Sequence, residues 1–256
     1  MRNLYSILKK EIGSYFISPI AYVVIGIFLI ICGYFFYGAI SFFSLLSLQA
    51  SYDASMQAGI NTTEGLFLPL FSNMSLIILL IIPLLTMRLF SEEKRLGTIE
   101  VLLTLPVRDG EVILGKFLAC AGVFSLMLTL TFLYPLIVAL WGELETAAVL
   151  TGYLGLFLIG IAFISLGLFF SSLTENQIVA AVASFGAFIL FLTIGWSSGF
   201  VGPPLNKVLI HLSILNHFSN FAKGIIDTSD LIYYLNFIFL CLFLTSRVLE
   251  SRRWRG

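Results

Sequence analysis

Charged residues cut this chain into six long uncharged runs: 12–52, 65–87, 117–142, 146–174, 176–206 and 231–246. About 20 apolar residues in a helix cross a hydrocarbon core of about 30 Å. The first five runs reach that length unaided. The sixth is shorter, but Asp230 and Arg247 at its two ends are expected to snorkel past the core. The pattern predicts six transmembrane helices, near 20–42, 69–88, 116–140, 149–171, 177–196 and 231–249, in an all-α integral membrane fold that forms one domain over 1–256.

The segments between the runs differ in character. Leu4, Leu8, Ile12 and Phe16 recur at four-residue steps, Tyr5 and Tyr15 lie beside them, and Lys9 and Lys10 lie off the stripe. Residues 1–18, ending before Pro19, therefore read as an interfacial helix along the inner leaflet. The connection 45–66 is polar, with Asp53 and Glu64, while those around Glu143 and at "SSLTENQ" (171–177) are short. In 197–230, Leu205, Val208, Leu209, Leu212, Leu215, Phe218 and Phe221 recur at three- and four-residue steps after Pro203-Pro204. That spacing predicts amphipathic or re-entrant helix on the outer face, because lipid-exposed irregular backbone would leave unpaired N–H and C=O groups.

Composition agrees. The chain is 59% hydrophobic and only 11% charged, with a mean hydropathy of +1.03; a soluble domain carries about a quarter charged residues. The net charge of zero says less than where the charges sit. With a cytoplasmic N-terminus, inside segments hold Arg2, Lys9, Lys10, Arg88, Lys94, Arg95, Arg108, Lys116, Arg247, Arg252, Arg253 and Arg255, and outside segments only Lys207 and Lys223. The positive-inside rule then places both termini in the cytoplasm. The run after Lys10 is too long for a signal-peptide core and no A-x-A site follows, so it reads as a retained first span. Cys32, Cys120 and Cys241 are scattered singly and suggest neither a disulfide framework nor a metal site.

Two motif matches and one histidine pair have plainer readings. "GEVILGK" (110–116) fits the start of a phosphate-binding loop, but Phe117 stands where a magnesium-holding hydroxyl belongs; a helix running into the third span explains the same residues. "GWSSG" (195–199) fits a nucleophile elbow and would make Ser197 or Ser198 the nucleophile of an intramembrane serine protease. An elbow needs a preceding strand, and here a transmembrane helix precedes it. His211 and His217, on one continuous helix, would point about 240° apart and share no face for a metal. The predicted spans bury no Asp, Glu or His that would couple transport to an ion gradient. With no ATP site either, energy for uphill transport has to come from a partner.

One dense island of charge stands out. Phe90–Phe117 holds Glu92, Glu93, Lys94, Arg95, Glu100, Arg108, Asp109, Glu111 and Lys116. Within it Thr98 is placed to cap a short helix with Glu100 in its first turn. Ile99, Leu102 and Leu103 fall on one side of that helix, Pro106 ends it, and Asp109 caps the helix entering the membrane. A purely topological loop explains the basic residues but not a short amphipathic helix. A docking element for a cytoplasmic subunit explains both; a scaffold that transports nothing is the remaining reading.

The run "EEKRLGTIEVLLTLPV", the following "GK", and "LNHFSNFAKGIIDTSDLIYYL" (215–235) resemble the ABC-2-type ABC transporter permeases. The look is nearest to gliding-motility-associated permeases and to those of the copper-maturation system for nitrous oxide reductase. The resemblance covers essentially the whole chain. It implies a non-enzymatic permease of a bacterial inner membrane, with ATP and magnesium bound by a partner ATP-binding subunit and no cofactor of its own. A second permease chain is implied, as are re-entrant helices near 205–226, and an outer-face partner is compatible with it; nucleic acid is not expected. Within 89–115, the resemblance implies a coupling helix whose contacts with the ATP-binding subunit involve Glu92, Glu93, Lys94, Gly97, Thr98, Glu100, Leu102 and Leu103.

Overall fold

A computed structural model describes residues 2–52, 63–98, 108–141, 144–197, 202 and 205–253. All secondary structure among them is helical, and six helices are long and apolar enough to cross a membrane: Pro19–Gln49, Gly65–Arg95, Asp109–Leu140, Thr146–Leu173, Gln177–Gly195 and Thr228–Ser251. These are spans 1 to 6. The end that carries the N-terminal helix Arg2–Ile17, Arg88–Arg95 and Arg108–Lys116 is called the basic end; residues 205–227 lie at the opposite end.

Span 4 is the centre of the bundle. It is 72% buried, against 17% for span 6 and 28% for span 1, and its glycines explain why. A Cβ on Gly152 would come within 2.1 Å of the Phe71 ring of span 2; one on Gly160, within 2.2 Å of the Phe124 ring of span 3. Phe163 of the same helix stacks on Phe188 of span 5 at 4.4 Å. Large rings from neighbouring helices thus enter notches left by missing side chains, the way close helix packing is achieved where water supplies no driving force. Spans 1, 5 and 6 present Ile30, Tyr37, Val182, Leu190 and Phe239 outward; in a membrane such faces meet lipid or another chain.

The helix bounds depart from the sequence reading in ways that prolines and caps explain. Helix continues from Pro19 to Tyr52, ten residues beyond the expected end of span 1, because nothing in "SFFSLLSLQASY" breaks it. Span 3 is interrupted at Phe132, between helices Asp109–Thr131 and Leu133–Trp141. Pro135 lacks an N–H for the carbonyl four residues back, which forces this break. Glu111, rather than Asp109, supplies the carboxylate that caps the third span, accepting from Arg108 N–H at 3.4 Å.

At the opposite end the amphipathic or re-entrant segment expected after Pro203-Pro204 forms two helices, Leu205–Leu212 and Ile214–Ala222. They break at Ser213, whose hydroxyl accepts from Asn216 N–H. Gly224, at φ +84°, ends the second; its N–H bonds to Phe221 O at 3.0 Å while Ile225 N–H bonds to Asn220 O at 2.9 Å, a left-handed glycine stop. The break corrects the expectation for the two histidines, whose rings stack 6.3 Å apart. It also corrects Asp230, which does not snorkel: it is 3% exposed, with His217 Nδ1 at 2.5 Å and Asn220 Nδ2 at 2.8 Å.

Candidate functional site: the docking segment

Span 2 runs directly into the charged island. Helix Leu68–Thr86 passes through the turn 87–90 into a short helix, Ser91–Arg95, that the sequence pattern did not reveal. Gly97, at φ +70°, ends it with Leu96 N–H on Glu92 O at 3.0 Å and Gly97 N–H on Lys94 O at 3.1 Å. Few residues other than glycine take that backbone conformation without strain.

The short helix and span 4 cap each other. Ser171 Oγ accepts from the N–H groups of Phe90 and Ser91 at 3.0 and 3.1 Å, and donates to Met87 O at 3.0 Å. In return Lys94 Nζ donates to Ser172 O, in the last turn of span 4. Backbone groups that each helix end leaves unpaired are thereby satisfied, and a cation sits at the negative end of the span 4 dipole. Lys94, 6% exposed, is buried against the chain's own body.

Glu93 points to the other side. Lys116 Nζ, 2% exposed, lies 2.9 Å from Glu93 Oε1 and 2.9 Å from Glu11 Oε1. The Phe90 ring lies 5.4 Å from the same ammonium. One buried cation therefore joins three pieces of chain: the N-terminal helix, the short helix after span 2, and span 3. The packing beside it is equally close. A Cβ on Gly115 would come within 2.7 Å of Ile7 Cγ2, so the missing side chain is what lets the N-terminal helix lie on span 3. Tyr15 fixes the other end of that helix, donating to Leu85 O at 2.9 Å. Burial pushes the Tyr15 hydroxyl well above its ordinary pKa, so it remains a donor at physiological pH.

These contacts explain "GEVILGK". Its residues are helical within Asp109–Thr131, Gly115 admits Ile7, and Lys116 pairs with two carboxylates; no loop is present to cradle phosphate. "GWSSG" begins in a transmembrane helix that runs to Ser197, while Ser198 lies outside the described residues. Among the described residues no group of His, Cys, Asp and Glu is placed to hold a metal ion.

The residues marked out as coupling residues separate by place. Glu92 forms a two-pronged pair with Arg88 at 3.0 and 3.1 Å, Glu93 faces Lys116, and Lys94 faces span 4. Gly97 and Thr98 are exposed, with Arg95 and Leu96 beside them; Thr98 Oγ1 donates back to Glu93 O at 3.3 Å. Glu100, Leu102 and Leu103 lie outside the described residues. Sequence reasoning missed Glu11, Ser171 and Ser172. A signal for Glu11 was available: Ile7, Glu11 and Tyr15 form one i, i+4 row beside the apolar stripe, where a carboxylate needs a buried partner.

Six helices long and apolar enough to cross a membrane, packed in one all-helical bundle, define a multi-pass membrane protein. The chain belongs to the ABC-2 transporter family, whose model, described as an ABC-2 family transporter protein, matches residues 5–251. Members are membrane components of ABC transporters, which implies association with an ABC ATP-binding subunit. The match is to the family and does not single out its gliding-motility or copper-maturation branches. No curated protein matches the chain.

Proposed function

We propose that this chain is the permease subunit that couples ATP hydrolysis by a partner subunit to export, or to conformational work, across a bacterial inner membrane. Both termini and the 89–115 segment face the cytoplasm, and two permease chains work with two ATP-binding subunits that carry the ATP and magnesium. The observation that supports this reading beyond family membership is the attachment of the short helix Ser91–Arg95. It continues from span 2, caps span 4 through Lys94 and Ser171, and reaches span 3 through Glu93 and Lys116.

A force applied at Leu96–Thr98 therefore acts directly on spans 2 and 4 and on the Glu93–Lys116 contact with span 3. ATP binding would close the ATP-binding subunits, press on this segment, and tilt the spans between inward- and outward-facing arrangements. The eight candidate coupling residues then have two jobs. Lys94 transmits, holding the segment to span 4, and Glu93 ties the segment to span 3 in the resting arrangement. Gly97, Thr98, Glu100, Leu102 and Leu103 face the partner, with Glu92 at the boundary.

Affinity purification of the intact chain from its native membrane tests this. A P-loop ATPase subunit should accompany the wild-type chain and be lost with Leu103→Asp or Glu100→Arg, while membrane insertion is unchanged. A partner retained by both variants would remove the docking assignment, and a wild-type chain that transports with no ATPase present would remove the function.

A further inference from the structure

Lys116 has more partners than neutralisation needs. Its ammonium meets two carboxylates at 2.9 Å each, and the second oxygen of Glu93, Oε2, is buried without a hydrogen-bond partner among the described residues. Removing one member of a simple buried ion pair strands a charge and is strongly unfavourable. A cation with two anionic partners escapes that penalty when one of them leaves.

The two carboxylates are not held alike. Glu11 belongs to a 16-residue helix fixed along span 3 by the Ile7–Gly115 contact and to span 2 by the Tyr15 hydrogen bond. Glu93 belongs to a five-residue helix that leads straight into the exposed stretch Arg95–Thr98. Its carboxylate is also the incompletely satisfied one.

Resting on the docking reading above, we propose that Glu11 and Lys116 are positioning residues of a release joint. Glu93 lets go of span 3 when the docking segment is displaced, and Glu11 stays, keeping the buried ammonium neutralised. Glu11 thus sets how freely the segment moves, although it lies on the N-terminal helix rather than in the segment. Two isosteric changes around the same lysine then have opposite effects. Glu93→Gln loosens the segment at rest, since Lys116 keeps Glu11. Glu11→Gln leaves Glu93 as the sole carboxylate partner, so release strands the charge and the segment is held.

The test is amide hydrogen exchange over residues 91–98 in the intact permease–ATPase complex in lipid nanodiscs, nucleotide-free and trapped with ATP, magnesium and vanadate. Exchange reads local opening. Trapping should raise wild-type exchange roughly tenfold. Glu93→Gln should show the raised rate without nucleotide, Glu11→Gln should keep the low rate even when trapped, and Glu11→Asp should restore the wild-type response.

Changes in the same direction for Glu93→Gln and Glu11→Gln, or no change in either, would overturn the joint, as would a Glu11→Asp variant that responds like Glu11→Gln. These outcomes differ from failure of the docking reading, which shows earlier as a chain that brings no ATP-binding subunit with it.

Discussion

Each end of this molecule buries a carboxylate against a nitrogen side chain, and the two clusters are built to opposite rules. At the opposite end, His217 and Asp230 close a complete network. Nδ1 faces Asp230 Oδ1 at 2.5 Å, Nε2–H donates to His211 O at 3.1 Å, and Asn220 donates to Asp230 Oδ2 at 2.8 Å, with Tyr233 stacked on the imidazole at 4.1 Å. At the basic end, Lys116 is shared between two carboxylates and one oxygen of Glu93 has no partner. A fully satisfied polar network fixes one arrangement. An over-supplied cation with an unsatisfied partner tolerates two. The hairpin of 205–222 is pinned to span 6, whereas the segment 91–98 is tied to span 3 through a cation that has a second carboxylate partner.

The largest effect expected from this contrast is at Asp230. Asp230→Ala removes the partner of both His217 Nδ1 and Asn220 Nδ2 and should cost about 1–3 kcal/mol for each stranded group. A markedly lowered midpoint in a thermal unfolding series of purified protein would show it. Next is Ser171→Ala, which strips the acceptor from two backbone N–H groups at the start of the docking helix. It should cost about 1–3 kcal/mol, with proteolysis at 90–98 increasing before global unfolding. Gly115→Leu forces a side chain into Ile7 and should cost about 1–3 kcal/mol by overpacking; faster exchange confined to residues 2–17 is the expected signature. Smallest is Arg88→Gln. Its pair with Glu92 has side chains about a third exposed, so a loss of under about 1 kcal/mol is expected. An Asp230→Ala variant no less stable than Arg88→Gln would dissolve the distinction between the two ends.

Spans are easy to read from sequence because a lipid core forbids charge over a fixed length, and the six uncharged runs predict the six helices. Within that layout, the N-terminal helix Arg2–Ile17 was legible from the stripe Leu4, Leu8, Ile12 and Phe16, since its period is set by one helix alone. The partners of the short helix after span 2 and of Lys116 were not legible. Ser171 lies 81 residues from Phe90 and Glu11 lies 105 from Lys116, and helix periodicity carries no information about which spans are neighbours. The same limit hid the break at Ser213. One hydroxyl capping Asn216 N–H divides the segment there and brings His211 beside His217. The break at Phe132 also went unread, since the third span was expected to run unbroken over 116–140 and Pro83 lies within the continuous helix Leu68–Thr86.

Photo-crosslinking from the exposed positions Leu96 and Ile225, one at each end, in membranes that contain the whole transporter tests the central claim most directly. A crosslinker at 96 should capture the ATP-binding subunit, and one at 225 should not. Capture of that subunit from 225, or none from 96 while the complex stays intact, would contradict the assignment of the docking segment and of the cytoplasmic side.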